Sequence, residues 1–241
     1  MHPATVVASI LLSAAFVPTL PKAQPERNTP ATQPTAPPAP NDPKSGSSGA
    51  PNPSSVDAAC ALRQDMRKLW TDHTVWTRDY IIAAVDDKPD QQSAASRLMK
   101  NQEDIGAAIA TYYGKNNGDR LTALLKEHIT LAGDVIKAAK TKDASQFKAV
   151  DEQWKRNADE IADFLNSANP NWTRASLTEM MMMHLSTTTE EVKARLDKDW
   201  DRDVKAYDKV YEHILKMSDA LADGIVRQFP ERFAPGTPKS K

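Results

Sequence analysis

From residue 55 onward, apolar side chains recur at alternating steps of three and four, the spacing that gathers them on one face of a helix. Leu62, Met66, Leu69, His73, Trp76 and Tyr80 form the first stripe and predict a helix over 55–86, broken by Lys88-Pro89-Asp90. Ala95, Leu98, Ile105 and Ile109 predict a second over 91–113, stopped at Tyr113-Gly114, with Asn116, Asn117 and Gly118 read as the following turn. Leu121, Leu124, His128, Leu131 and Val135 mark helix 3, over 119–141. Phe147, Val150, Trp154, Asn157, Ile161 and Phe164 mark helix 4, over 144–168. It ends before Asn169-Pro170, because a proline pushes the residue before it out of the α region. Helix 5 starts near Thr173, and Thr188 with Glu191 has the spacing of a capping box that would open helix 6. That last helix then runs to Phe229, with Leu196, Tyr207, Val210, Ile214, Met217, Leu221 and Ile225 on its stripe, and stops at Pro230.

No segment shows the two-residue alternation of a half-buried strand. Long amphipathic helices joined by short loops favour antiparallel neighbours. The expected fold is all-α, an up-and-down antiparallel helical bundle with four long helices (1, 3, 4 and 6) and two shorter ones (2 and 5). The alternative is a six-helix array of hairpins.

The chain outside this region has another character. Residues Val6 to Val17 are an unbroken apolar run too short to span a bilayer, which predicts a signal peptide over 1–23 and an exported, periplasmic or extracellular protein. No integral membrane span is expected in the mature chain. Twelve of the 17 prolines fall within residues 1–54, and residues 24–54 hold almost no large apolar side chain. Such a stretch buries too little surface to offset its ordering entropy and predicts a disordered linker. The expected divisions are therefore 1–23, 24–54, a helical domain over 55–230 and a disordered tail over 231–241.

Charge and cysteine content then narrow the chemistry. The 31 Lys and Arg nearly balance the 32 Asp and Glu, which argues against a nucleic-acid partner. The single cysteine, Cys60, excludes an internal disulfide and any multi-cysteine metal site. No Gly-rich phosphate loop, nucleophile elbow or cysteine nucleophile setting is present, so the reading is non-catalytic.

Polar residues on apolar seams remain. His73, His128 and His184 take seam positions on helices 1, 3 and 5 and are separated by 55 and 56 residues. If those helices run parallel, the three imidazoles reach similar heights. One reading is a metal site for zinc, copper or iron built from His73, His128 and His184, with Asp203, Glu127 or Asp72 as carboxylate partners. The other is a structural layer of buried polar groups that fixes helix register. Met180 and Met181 lie on the face of His184, and thioethers beside an imidazole suit Cu(I); methionines also fill irregular core gaps. Asp72, Trp76, Arg78 and Asp79 surround His73 and offer an Arg–carboxylate pair, and Tyr112-Tyr113, Trp172 and Trp200 mark an aromatic pocket or plug.

An ordered series of short motifs adds a resemblance. It comprises Leu69-Trp70-Thr71-Asp72-His73 with Trp76-Thr77-Arg78, Arg97-Leu98 with Asn101, Tyr113-Gly114, Glu127-His128, Asn157-Ala158-Asp159-Glu160-Ile161-Ala162, Asn169-Pro170-Asn171-Trp172, His184-Leu185 with Thr188, and Gln228-Phe229-Pro230. Over 69–230 the chain resembles a family of exported bacterial helical-bundle proteins. That resemblance implies a helical bundle and a shared role for the three histidines, without naming an activity. The function expected is a non-catalytic binding or scaffolding module of the cell envelope, with an envelope protein or a small ligand as partner. The alternatives are a metal-binding bundle with a three-histidine core site and a small-ligand sensing bundle.

Overall fold

The computed structural model describes residues 55–234, so the expected signal segment and linker, and the tail beyond 234, lie outside it. Six helices account for almost all of it: α1 (Ser55–Val85), α2 (Gln91–Tyr113), α3 (Lys115–Thr141), α4 (Ala144–Ala168), α5 (Arg174–Leu196) and α6 (Trp200–Gln228). No strand occurs among the described residues. The fold is an all-α bundle in which each helix packs on the next. Helices α2 and α5 are the shortest at 23 residues each, yet α4 has only 25, so all six are full-length members of the bundle.

Helix α6 returns to pack on α1, which closes the six into a ring, and α1, α3 and α5 also touch one another. The α1–α6 pair runs antiparallel, with Arg63, Arg67 and Arg78 bonded in turn to Asp223, Asp219 and Asp203. The odd-numbered helices therefore share one direction. Their register is pinned where Lys140 Nζ on α3 donates to the carbonyl of Ala84 on α1, at 3.0 Å. All six stripes supply apolar residues to the interior, among which several polar side chains are also buried; Leu124, Ile161 and Ile214 are essentially inaccessible, each contributing about 1.5–3 kcal/mol through burial.

Two expected boundaries move, for identifiable reasons. Helix α3 begins at Lys115, so Asn116, Asn117 and Gly118 lie inside it rather than in a turn. Gly114 makes the reversal alone at φ 82°, a conformation glycine adopts without penalty. Gly118 instead serves helix packing: a Cβ there would stand 2.6 Å from both the Gly106 carbonyl and the Ala110 Cβ on α2. At the other end, Thr188 and Glu191 do not cap a helix; both are buried in the interior of α5. The chain turns at Asp197–Asp199, with Lys198 at φ 56° and the Asp199 carboxylate accepting from the Arg202 amide at 3.1 Å as the true N-cap. Order also continues past the expected end of the domain, since Pro230–Phe233 form a 3-10 turn that buries Phe233.

Several motifs of the resemblance meet at one end of the bundle. The Tyr113 hydroxyl donates to Gln228 Oε1 at 2.9 Å and accepts from Asn169 Nδ2 at 2.9 Å. Trp172 lies over Gly224 and donates from Nε1 to the Ala220 carbonyl at 3.3 Å. These aromatic residues plug the bundle end rather than forming a pocket.

Candidate functional site: a histidine chamber

The structure brings His73, His128 and His184 together at the centre of the bundle. They project from α1, α3 and α5, the three helices that touch across the ring, and are 2 %, 3 % and 4 % exposed. The His184 ring centre lies 5.7 Å from that of His73 and 6.1 Å from that of His128. A fourth histidine that the spacing argument missed, His213 on α6, has its ring centre 6.5 Å from that of His184. It is partly buried beside the seam position taken by Ile214, with its Nε2 2.8 Å from the Met180 carbonyl.

The three imidazoles line a chamber of about 30 Å³. Its other walls include Met66 and Trp70 of α1, Ile105 of α2, Leu121 and Leu125 of α3, Ile161 of α4, Met181 of α5 and Met217 of α6. That volume admits about two water-sized species, and no carboxylate lines it. Trp70 meets His73 edge-on at 5.6 Å, and Trp154 lies 5.3 Å from His128.

Hydrogen bonds assign the proton of one of the rings. Asn157 Nδ2 donates to the Leu124 carbonyl at 3.2 Å, which turns Asn157 Oδ1 toward His128 Nδ1 at 2.8 Å. His128 Nδ1 must therefore carry the proton and donate, leaving a lone pair on Nε2, which is buried with no hydrogen-bond partner. His73 differs: Gln102 Nε2 lies 3.3 Å from its Nδ1, but the two Gln102 N–H groups also face the Leu98 carbonyl at 2.8 Å and Asn101 Oδ1 at 3.2 Å, so this contact does not fix the His73 proton. His184 has a buried, unpartnered Nδ1. Gln102 was not singled out from sequence and Asn101 only within the motif series of the resemblance, although both fall on the α2 seam between Leu98 and Ile105.

Burial keeps all three rings neutral. It pushes His73 and His128 down to about 4, assisted at His73 by the neighbouring His128 and opposed by the Asn and Gln hydrogen bonds. His184 falls well below the ordinary value through burial and the three histidines around it.

The carboxylates expected beside these rings are elsewhere. Asp72 and Glu127 each precede a site histidine by one residue, about 100° around the helix. Glu127 is exposed, and Asp72 pairs with Lys68 at 2.6 Å. Asp203 is buried but held bidentately by Arg78, at 2.7 and 2.8 Å. Among the described residues no group of three or more His, Cys, Asp or Glu is arranged to hold a metal ion.

A second buried polar cluster lies beyond the histidines, toward the α5–α6 turn. Arg78 bonds Asp203 and also Glu191 Oε1 at 2.8 Å, and its guanidinium lies 4.8 Å from the Tyr207 ring centre. Burial raises Glu191 to about 7 despite the opposing pull of Arg78. The Arg–carboxylate pair noted near His73 is thus an interhelical lock between α1, α5 and α6, and its groups are bonded to one another.

No helix among the described residues is long and apolar enough to cross a membrane. Neither a family model, nor a curated protein, nor a solved structure matches this chain.

Proposed function

We propose that this protein is an exported, non-catalytic binding module of the cell envelope and that the histidine chamber is where it holds a small ligand. The observation that carries this reading is the pair of buried, unpartnered imidazole nitrogens, His128 Nε2 and His184 Nδ1, on rings lining one chamber. Leaving a buried polar group unbonded costs about 1–3 kcal/mol, a cost that a small bound species bonding either nitrogen would remove. Export is supported by the apolar run at Val6–Val17 and the proline-rich stretch behind it.

A purely structural layer is the competing reading. It accounts for the His73–Gln102 and His128–Asn157 bonds but not for the free nitrogens. Native mass spectrometry of the gently purified full chain separates the two. Binding predicts an added mass on the wild type that is absent from His128→Leu. A bare polypeptide mass, with no added metal or small molecule shifting its melting, favours the structural layer. Export is tested separately by fusing residues 1–54 to a reporter active only outside the cytoplasm.

A further inference from the structure

We infer that the outward side of α5 carries a second binding site, separate from the chamber, for a small amphipathic anion: a carboxylate or phosphate head on an apolar body. The groove that holds it, walled by α4 and α6, has a volume of about 460 Å³ and shares no lining residue with the chamber. Its size falls within the roughly 300–1,000 Å³ usual for small-molecule sites.

Three observations carry it. The first is register. Arg174 of α5 bonds Asp163 of α4 and Lys193 lies over the Phe147 ring, so α4 and α5 run antiparallel. His213 of α6 meets the Met180 carbonyl and Arg202 meets Glu190, which sets α6 antiparallel to α5 in the same way. Counting along these pairs brings Lys155 of α4 and Lys209 of α6 level with the Met182–Leu185 turn of α5, one on each wall of the groove. The second is charge. Asp151 and Glu190 are the acids that line the groove, and both are engaged, by Lys155 at 2.6 Å and by Arg202 at 3.0 Å. Lys193 faces the Phe147 ring at 5.9 Å, and Lys209 makes no ion pair or hydrogen bond among the described residues. Two cations of the groove therefore lack a counter-charge, and neither acid is free to supply one. The third is the floor. Ser186 and Thr189 line it with hydroxyls that bond no other described residue, in contrast to Thr187, whose hydroxyl bonds back to the Met183 carbonyl at 2.9 Å. A head seated between Lys155 and Lys209 accepts from their ammonium groups and from Ser186, while Leu185, Ala206 and Phe147 give the body an apolar wall. A head without a body leaves that wall in water, and a body without a head forfeits the charge-assisted bonds.

The test is isothermal titration of the full chain with hexanoate and hexyl phosphate, with hexanol and inorganic phosphate as the body and the head alone. One equivalent of at least one hexyl anion should bind, and hexanol and inorganic phosphate should each bind at least about tenfold more weakly. Lys209→Glu, at an exposed position, should weaken uptake of that anion by about tenfold or more. Lys88→Glu, exposed on the α1–α2 turn, changes the net charge equally and should leave uptake unchanged. A preference between hexanoate and hexyl phosphate identifies the head. Failure of both hexyl anions to bind, equal binding of hexanol or of inorganic phosphate, or no greater loss in Lys209→Glu than in Lys88→Glu overturns the assignment. Tighter uptake of an oligoglutamate peptide than of either hexyl anion overturns it in favour of a protein partner. Because no residue lines both sites, these results leave the chamber reading untouched, and the added-mass measurement decides that reading separately.

Discussion

His128 Nδ1 lies 2.8 Å from Oδ1 of Asn157, 29 positions along the chain and on the next helix. Because Asn157 also donates to the Leu124 carbonyl, its orientation is set by two bonds and fixes the imidazole proton on Nδ1. A single asparagine thereby determines that the unused nitrogen of His128 is a lone pair rather than an N–H. Replacing Asn157 by Leu should release that constraint. The predicted cost is about 1–3 kcal/mol in denaturant unfolding, together with a change in the His128 tautomer visible in imidazole nitrogen spectra.

Stability should fall steeply below neutral pH. The three histidines titrate near 6.5 when unfolded, whereas His73 and His128 are held near 4 in the fold and His184 lies well below 6.5. Between these values the unfolded chain binds protons that the folded chain does not, so acidification favours unfolding. Glu191 works in the opposite sense: at about 7 folded against 4.5 unfolded, it takes up a proton in the fold first. Three histidines against one glutamate leave a net difference of about two protons near pH 5.5, a slope of about 2.7 kcal/mol per pH unit. Urea unfolding between pH 7.5 and 4.5 measures it, and a flat profile would contradict neutral buried imidazoles.

The Arg78 cluster should respond asymmetrically. Arg78→Met strands Glu191 and leaves Asp203 only its longer contact with Arg195 at 3.6 Å, both carboxylates being almost fully buried, and is predicted to cost about 3–5 kcal/mol at pH 7.5. Part of that loss should be recovered on moving to pH 6, because Glu191 can then be protonated. Glu191→Gln retains the shape and should cost far less. Equal losses for the two variants, at either pH, would show that the cluster is not an ion lock.

Close approach of α2 and α3 supplies another check. A Cβ at Gly118 would meet the Gly106 carbonyl oxygen and the Ala110 Cβ at 2.6 Å, neither of which can move without shifting a helix. Gly118→Ala is therefore predicted to destabilise by about 1–3 kcal/mol, although alanine is the better helix former. A more stable variant in thermal melts would contradict the tight crossing.

The spans of α1, α2 and α4 were legible because proline or glycine marks a boundary of each and an unbroken stripe fills the interior. The α5–α6 junction was not. It contains neither proline nor glycine, since Lys198 takes the left-handed position, while Thr188 and Glu191 mimic a capping box four and seven residues after His184. Asp199, followed by acidic residues in the first turn of α6, was the signal present for the true start. In the site, the histidines could be brought together from their seams because similar chain offsets on parallel helices give similar heights. Which nitrogen each ring leaves free could not be read, because it depends on amides that arrive from α2 and α4. The carboxylates were misassigned for a related reason: adjacency in sequence places Asp72 and Glu127 around the helix from the histidines they precede.

The state of His128 Nε2 in the protein as isolated tests the central claim most directly. Nitrogen-15 NMR of the imidazoles, recorded before and after exhaustive treatment with a strong chelator and dialysis, reads that atom alone. A chamber that holds a ligand predicts a bonded Nε2 signal that reverts to a free lone pair on stripping and returns on reloading, while Nδ1 remains protonated throughout. One unchanged free-lone-pair signal in every sample, with no added species able to shift it, would show that the histidines serve only to hold the bundle in register.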